Sequence, residues 1–146
     1  MTIETADLTI HKTVHVAVPL EQAFDVFTAG IASWWPVATH SVGGGELTVD
    51  WRTGGVGVEL VDGVRHEWFD VVAYSPPRSI VLRWRVTPGS PPTDLRVSFA
   101  SEGAGTRVEL IHTGWEAYGD GGAEPSGSYS EGWDTVLGHF TRFTAR

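Results

Sequence analysis

Cysteine is absent from this sequence, and basic residues are few beside acidic ones. Without cysteine the chain forms no disulfide and offers no thiolate as a nucleophile or metal ligand. Ten lysine and arginine residues stand against eighteen aspartate and glutamate residues, a formal net charge of −8. A negative balance repels phosphate backbones, so we expect no nucleic-acid partner and take the charge to favour solubility.

Long apolar runs are missing as well. No segment approaches the roughly 20 apolar residues that span a bilayer, and residues 1–12 lack the basic and apolar regions of a signal peptide. We therefore expect a cytoplasmic protein with no membrane insertion. The 146 residues are 41% hydrophobic, enough to bury one core, and no repeat or low-complexity linker divides them. The expectation is one domain over residues 1–146.

Alternating hydrophobicity predicts seven strands, separated by turns rich in glycine and proline. The turn at Asp62-Gly63, between two alternating runs, is the strongest hairpin signal. Because consecutive strands are so closely linked, we expect an antiparallel meander. The predicted strands cover residues 8–18, 46–52, 56–61, 64–75, 78–86, 94–100 and 106–115.

Helical periodicity appears in three places. Pro19 suits the first turn of a helix whose apolar stripe runs from Leu20 to Phe27, and residues 31–35, closed by Pro36, are predicted to form a second short helix or a turn. After a flexible connection at 117–127, Ser128 and Glu131 form a plausible capping box for a terminal helix. The buried stripe of that helix comprises Tyr129, Trp133, Val136, Leu137, Phe140 and Phe143.

A curved sheet with one long amphipathic helix buries its concave face by wrapping around that helix. The predicted class is therefore α+β, with a helix-grip architecture. A seven-stranded curved antiparallel sheet wraps around a long C-terminal helix, and two short helices follow strand 1. We expect an apolar cavity between the sheet and the helix.

Four stretches carry a family likeness: VHVAVPLEQAFDVFT followed by WW, DVVAYSPPRSIVLRW, GTRVELIHTGW and EGWDTVLGHF. In their order and spacing they resemble the START-like (SRPBCC, birch-pollen-allergen-like) superfamily. Within it, the chain is similar to the bacterial branch related to activators of the ATPase of the 90-kDa heat-shock protein. The resemblance implies a helix-grip fold with a cavity, in a superfamily of lipid and hormone carriers, aromatic cyclases, hydratases and co-chaperone domains. It implies no catalytic signature.

The predicted cavity is aromatic, because most of the tryptophans fall on elements that face the helix. These rings could stack on a planar ligand or serve as ordinary core packing. The candidate ligand-binding residues are Phe24, Phe27, Trp35, Trp51, His66, Trp68, Asp70, Tyr74, Trp84, Phe99, His112, Trp133 and Leu137.

Three polar residues, His66, Asp70 and His112, are the catalytic candidates. If strand alternation continues unbroken, they point inward on nearby strands, where relatives often carry aliphatic residues. A carboxylate beside an imidazole orients the ring and raises its pKa, which would allow acid–base chemistry. The alternatives are a buried, hydrogen-bonded polar corner or, for His112, a structural role in the HTGW stretch.

No cofactor or metal is expected. The histidines are dispersed, and His11 and His15 lie on the polar face of the first strand. The glycines at 43–45 and 54–55 lack the helix and Lys-Ser/Thr of a phosphate loop, and no G-x-S-x-G motif occurs. Arg83, Arg85, Arg96 and Arg107 are expected on the outer sheet face, paired across strands with Glu67 or Glu109.

The leading function is a binding module for a small hydrophobic or aromatic molecule. The first alternative is a cyclase- or hydratase-type enzyme that uses the same cavity. The second alternative is an interaction protein that stimulates a chaperone ATPase, although known activators of that type carry an additional domain. A homodimer is possible.

Overall fold

The computed structural model describes residues 8–85, 91–115, 118 and 123–145, with side chains from 126 onward in the last segment. Its seven strands form one antiparallel sheet in the order β1-β7-β6-β5-β4-β3-β2. The strands are β1 Ile10–Val16, β2 Glu46–Val49, β3 Val56–Val61, β4 Val64–Ser75, β5 Ser79–Trp84, β6 Thr93–Glu102 and β7 Gly105–Thr113. The helices are α1 Leu20–Phe27, α2 Ile31–Trp34 and α3 Ala123–Thr144.

This is an α+β, helix-grip arrangement, as predicted. The sheet curls into a half-barrel, α3 packs against it, and the two short helices follow β1. The largest group of buried apolar residues lies between these layers, with contributions from strands and from all three helices. The first strand of the chain, β1, pairs with the last strand, β7, and α3 also contacts β1.

Local sequence explains the short elements. Pro19 has an extended backbone conformation, with φ −61° and ψ 158°, and precedes α1, which buries Ala23, Phe24 and Phe27 along one stripe. The helix ends at Thr28, whose hydroxyl donates to the carbonyl of Phe24. Both residues of the Asp62-Gly63 hairpin have positive φ, 50° and 79°, which is the geometry of a type I′ turn.

Strand β4 departs from the predicted alternation, because it contains two irregularities of register. Gly57 is opposite Phe69 while Val58 is opposite Glu67, so Trp68 is inserted between paired positions. As a result Trp68 and Phe69 are both buried, each 1% exposed. The unbroken alternation assumed for the catalytic candidates would put residues 66, 68, 70, 72 and 74 on one face of β4, and this bulge breaks it.

The second irregularity in β4 lies at Val72. The register passes from Val71 opposite Leu82 to Ala73 opposite Val81, and the Val72 side chain is 48% exposed. Predicted apolar alternation placed Val72 inward, but a bulge leaves the extra residue unpaired and turns the strand.

Helix α3 begins at Ala123, five residues before the predicted cap. Ser128 is therefore an exposed residue within the helix rather than its N-terminal cap. The predicted connection at 117–127 thus gives way to helix from Ala123, and its residues 117 and 119–122 lie outside the described residues. Residue 86 of the predicted fifth strand and residues 88–90 of the turn after it also lie outside them.

Candidate functional site

A cavity of about 270 Å³ opens between the sheet, the segment after α2 and helix α3. Its volume is near the lower end of the range for ligand pockets, about 300–1,000 Å³. Its walls are mostly aromatic, with a polar rim. The lining residues are Trp35, Thr39, His40, Ser41, Trp68, Trp84, Ser128, Tyr129, Gly132, Trp133 and Val136.

Four tryptophan rings form one connected group around this cavity. Trp35 lies 5.4 Å from Trp68 and 5.7 Å from Trp133, measured between ring centroids. Trp84 lies 5.5 Å from Trp133 in an edge-to-face contact and 6.2 Å from Trp35. The rings come from four separate segments, so the group exists only in the folded chain.

The position of Trp84 depends on the bulge in β4. Phe69 stacks on Trp84 with a centroid distance of 5.4 Å and an interplanar angle of 14°. The opposite residue, Gly57, leaves room for Phe69, since a Cβ at Gly57 would lie 2.5 Å from Phe69 Cζ. This glycine therefore lets two large rings lie side by side behind the cavity wall.

All four indole N–H groups are already bonded within the protein. Trp35 Nε1 donates to the His40 carbonyl at 2.7 Å, and Trp68 Nε1 donates to Glu59 Oε1 at 3.1 Å. The other two acceptors are the Tyr129 hydroxyl for Trp84, at 3.1 Å, and His112 Nδ1 for Trp133, at 3.0 Å. The rings therefore offer the cavity apolar surface and no spare polar donor.

The polar rim is held by Glu59, which is fully buried on β3. Its carboxylate accepts hydrogen bonds from the backbone N–H groups of Val42, Gly43 and Gly45, at 2.8, 3.2 and 2.7 Å. Burial by itself raises the pKa of Glu59, but the backbone donors of Gly45, Val42 and Gly43 outweigh it and hold the pKa below its ordinary value. Glu59 thus serves as a charged anchor for the loop that follows the rim.

Sequence reasoning missed Glu59 and the rim residues. Glu59 sits in an alternating strand with no motif around it, and its backbone donors come from a glycine-rich loop that sequence analysis interpreted only as a turn. The signal that could have suggested the anchor is a lone acidic residue in an apolar strand, VGVELV, which requires partners if it is buried.

His112, on β7, is fully buried and has both ring nitrogens occupied. Trp133 Nε1 can only donate, so Nδ1 of His112 accepts and the proton resides on Nε2, which donates to Thr93 Oγ1 at 2.6 Å. Burial lowers the pKa of His112 to about 3, so the ring is neutral. The ring joins α3 to β6 and β7 behind the tryptophan cluster.

Asp70 is not beside His112, because its carboxylate binds Arg85. The two groups form a pair of hydrogen bonds at 2.8 and 3.0 Å, and Arg85 also reaches Glu67 at 3.2 Å. The Arg85 hydrogen bonds hold the pKa of Asp70 below its ordinary value. The expectation that a carboxylate raises the pKa of an inward-facing histidine is not met here.

His66 is half-buried and lies opposite Glu59 in the register of β3 and β4. It does not line the cavity, and neither do Asp70 and His112. The structure therefore places the three catalytic candidates in three different environments. Asp70 lies in an ion-pair network, His112 in a buried aromatic cluster and His66 near the end of the β3–β4 hairpin. The predicted outer-face pairs are present for Arg85 with Glu67 and for Arg107 with Glu109.

The remaining candidate ligand-binding residues divide into two groups. Trp35, Trp68, Trp84 and Trp133 line the cavity. The others belong to the aromatic and aliphatic core beyond it, where for example Phe24 and Phe99 meet edge to face at 5.2 Å and Trp51 stacks near Tyr74 at 6.3 Å. That second group comprises Phe24, Phe27, Trp51, Tyr74, Phe99 and Leu137.

Within the described part of the chain, no three histidine, aspartate or glutamate side chains are grouped as metal ligands. His11 is exposed and bonds Glu109 at 3.3 Å, while His15 bonds the carbonyl of Glu102 at 3.2 Å. No helix among the described residues combines the length and hydrophobicity that crossing a membrane requires.

The family model for Activator of Hsp90 ATPase homolog 1-like proteins matches residues 17–144. The chain belongs to this family. Membership places it in the START-like (SRPBCC) superfamily, in agreement with the resemblance of the sequence motifs. Among curated proteins, none matches this chain significantly.

Solved structures of several relatives share the fold of this Activator of Hsp90 ATPase homolog 1-like chain. CalU16 from Micromonospora echinospora is 22% identical, with a TM-score of 0.69 over 92% of this chain and 73% of CalU16. Txn09, an anthrahydroquino-γ-pyrone synthase, is 27% identical, with a TM-score of 0.56 over 92% of this chain and 95% of Txn09. An HSP90 activator from Plasmodium falciparum is 20% identical, with a TM-score of 0.55 over 72% of this chain and 71% of the activator.

Proposed function

We propose that this protein binds a small planar aromatic molecule in the cavity between the four tryptophans and helix α3. The observation that carries the proposal is the state of the indole rings, whose N–H groups are all bonded inside the protein. What remains facing the cavity is ring surface, which favours stacking and edge-to-face contacts with another aromatic system. A volume of about 270 Å³ suits a ligand of a few fused rings.

The family and its structural relatives support a ligand-binding domain of this kind. Concave apolar sites with a few polar groups are also the usual form of small-molecule sites. The polar groups here lie at one side of the cavity, at Thr39, His40 and Ser41, and would orient a ligand whose body lies against the tryptophans.

A pair of glycine variants in α3 tests the proposal. Gly132 lines the cavity, and Gly132→Leu would fill it with an aliphatic side chain. Gly127 lies on the same helix, but nothing is within 4 Å of a Cβ built there, so Gly127→Leu is the matched control. Both changes replace a helical glycine and raise helix propensity in the same way.

The measurement is quenching of tryptophan fluorescence, together with thermal shift, by naphthalene, 2-naphthol and 1,4-naphthoquinone. We expect saturable binding in the wild type and in Gly127→Leu, and binding at least about ten-fold weaker in Gly132→Leu. Absence of binding to all three compounds in the wild type would contradict the proposal. If the protein bound none of these compounds but stimulated a chaperone ATPase, its function would instead be protein interaction.

Catalysis in the same cavity is the second candidate, and the relation to Txn09 is the observation that favours it. The reaction would be of the cyclase or hydratase type. His66, Asp70 and His112 do not line the cavity, so turnover should persist in His66→Ala and Asp70→Asn. The imidazole that does line the cavity is His40, and loss of turnover in His40→Gln, with ligand binding retained, would support catalysis there.

A further inference from the structure

The His40 imidazole lines the cavity and keeps one ring nitrogen that forms no hydrogen bond within the described part of the chain. Its Nδ1 lies 2.7 Å from Thr39 Oγ1, its carbonyl accepts from Trp35, and its backbone N–H donates to the carbonyl of Pro36 at 2.8 Å. Nε2 has no hydrogen-bond partner among the residues that the structure describes. His40 is half-buried, and since no buried side-chain nitrogen or oxygen of the described residues lacks a partner, Nε2 is accessible and can bond a ligand or water.

The ring of His40 is directed toward the helix side of the cavity. A Cβ built on Gly132 would lie 3.6 Å from His40 Cδ2 and 3.9 Å from His40 Nε2. Gly132 and Trp133 line the same wall, so a ligand seated against Trp133 has Nε2 at its edge. The absence of a side chain at Gly132 leaves this approach open.

The other polar groups of the lining are engaged or exposed. The Ser41 hydroxyl bonds the Val37 carbonyl and accepts from the backbone N–H of Gly44, and the Tyr129 hydroxyl accepts from Trp84. Among the described residues, the half-buried lining atom without an internal partner is His40 Nε2, while the exposed Ser128 of α3 lies at the edge of the cavity.

We infer that the cavity selects planar aromatic ligands that carry a hydroxyl group on one edge, and that His40 Nε2 is the group that recognises the hydroxyl. This inference rests on the proposed function. A hydroxyl both donates and accepts, so it satisfies Nε2 whichever ring nitrogen carries the proton. A carboxylate fits less well, because the charged Glu59 lies directly behind Trp68 and the protein carries a net charge of −8.

The test compares two probes of nearly equal shape, 2-naphthol and naphthalene, by isothermal titration and ligand-observed NMR. Naphthalene is the more hydrophobic, so an apolar cavity alone favours it. We expect the wild type to bind 2-naphthol about five-fold more tightly than naphthalene, the effect of one hydrogen bond. In His40→Phe, which keeps a ring but loses both nitrogens, that preference should disappear while naphthalene still binds.

Two further variants keep the result interpretable. His40→Gln retains an amide that can meet a hydroxyl and should keep part of the preference. His11→Phe makes the same replacement at an exposed histidine on β1 and should leave both affinities unchanged. If His40→Phe does not fold, His40→Leu, which also lacks any hydrogen-bonding atom, takes its place, and a preference for 2-naphthol that persists there would argue against the imidazole.

Three results would overturn the inference. Equal binding of the two probes by the wild type, with both lost in Gly132→Leu, would reject the role of His40 while leaving the proposed function intact. A preference for 2-naphthol that persists in His40→Phe would assign recognition to another group. Failure of the wild type to bind either probe would reject the inference together with the proposed function.

Discussion

Trp68 Nε1 donates a 3.1 Å hydrogen bond to Glu59 Oε1, and this contact joins the wall of the cavity to its rim. The same carboxylate collects three backbone N–H groups from residues 42–45, next to Ser41 on the cavity lining. One buried charge therefore positions an aromatic ring on the sheet and a loop beside it. Disturbing Glu59 should affect both stability and the shape of the site.

Glu59→Gln is expected to destabilise the protein by about 2–4 kcal/mol, because an amide cannot accept from all four donors and leaves buried N–H groups unpaired. Urea unfolding followed by tryptophan fluorescence measures the change. Glu109→Gln, at a partly exposed glutamate on β7, is the matched control and should cost about 0.5 kcal/mol or less. Equal costs for the two substitutions would contradict the anchoring role.

The cost of Glu59→Gln should also depend on pH. Because the folded protein holds the pKa of Glu59 below the ordinary 4.5, the contribution of the carboxylate is complete above that pH. That contribution is lost as the pH falls through the lower pKa that Glu59 has in the folded protein. The stability difference between wild type and Glu59→Gln should therefore shrink in acid, and a constant difference down to pH 2 would argue against it.

His112 should make the stability of the folded protein pH-dependent in a higher range. Its pKa falls from 6.5 to about 3 on folding, so below pH 6.5 the unfolded chain binds a proton that the folded chain does not. The folded state should lose about 2 kcal/mol of stability from this group between pH 7.5 and pH 5.0. Urea unfolding at the two pH values measures the loss.

The matched variants for this prediction are His112→Gln and His11→Gln. His112→Gln removes the buried imidazole and should flatten the stability difference between the two pH values, whatever its own effect on stability. His11→Gln changes an exposed histidine and should keep the wild-type dependence. If the stability of His112→Gln depended on pH as strongly as that of the wild type, the proton uptake would belong to other groups.

Asp70→Asn should have small effects. It breaks the paired hydrogen bonds with Arg85, but both side chains are well exposed, 41% and 32%, so the expected cost is about 1 kcal/mol or less. Because Asp70 does not line the cavity, the affinity for 2-naphthol should stay within about two-fold of the wild type. A loss of affinity as large as that in Gly132→Leu would show that the ion-pair network reaches the ligand.

Gly57→Ala should be disruptive although alanine is the smallest possible replacement. The added Cβ would lie 2.5 Å from the Phe69 ring, which stacks on Trp84 and cannot move without disturbing the cavity wall. We expect a loss of about 1–3 kcal/mol in urea unfolding. Gly127→Ala, in open space on α3, should instead stabilise the protein by about 0.5–1 kcal/mol, and equal effects would contradict this account.

Much of the fold followed from local patterns. The order of strands and helices, the Asp62-Gly63 turn and the start of α1 after Pro19 all follow from periodicity and turn chemistry. Trp35, Trp68, Trp84 and Trp133 line the cavity, and their contact with a ligand stays a prediction. Large apolar residues that recur with the period of a strand or a helix share one face of that element, and the concave face of the sheet is where such faces are buried.

The polar site did not follow in the same way. The bulges in β4 interrupt the alternation that sequence reasoning assumed for residues 64–75, and they let the neighbouring residues Trp68 and Phe69 both be buried. A bulge depends on how the facing strand fits, here on the space that Gly57 leaves. The sequence of one strand does not show which residues of the neighbouring strand will face it. The trio His66, Asp70 and His112 was inferred from that unbroken alternation, which is why the structure does not bring it together.

By itself the sequence determined the class of fold, the aromatic character of the cavity and the family, because these depend on which residues occur and on how they are spaced along the chain. Only the tertiary structure decided which polar groups are free. His112 accepts a hydrogen bond from Trp133, and Glu59 accepts from Trp68 and from backbone N–H groups of a distant segment. His40 Nε2, in contrast, faces the cavity without such a partner among the described residues. Hydrogen bonds join residues across the fold, so a polar group can be recognised as unpaired only when its neighbours from distant segments have been placed.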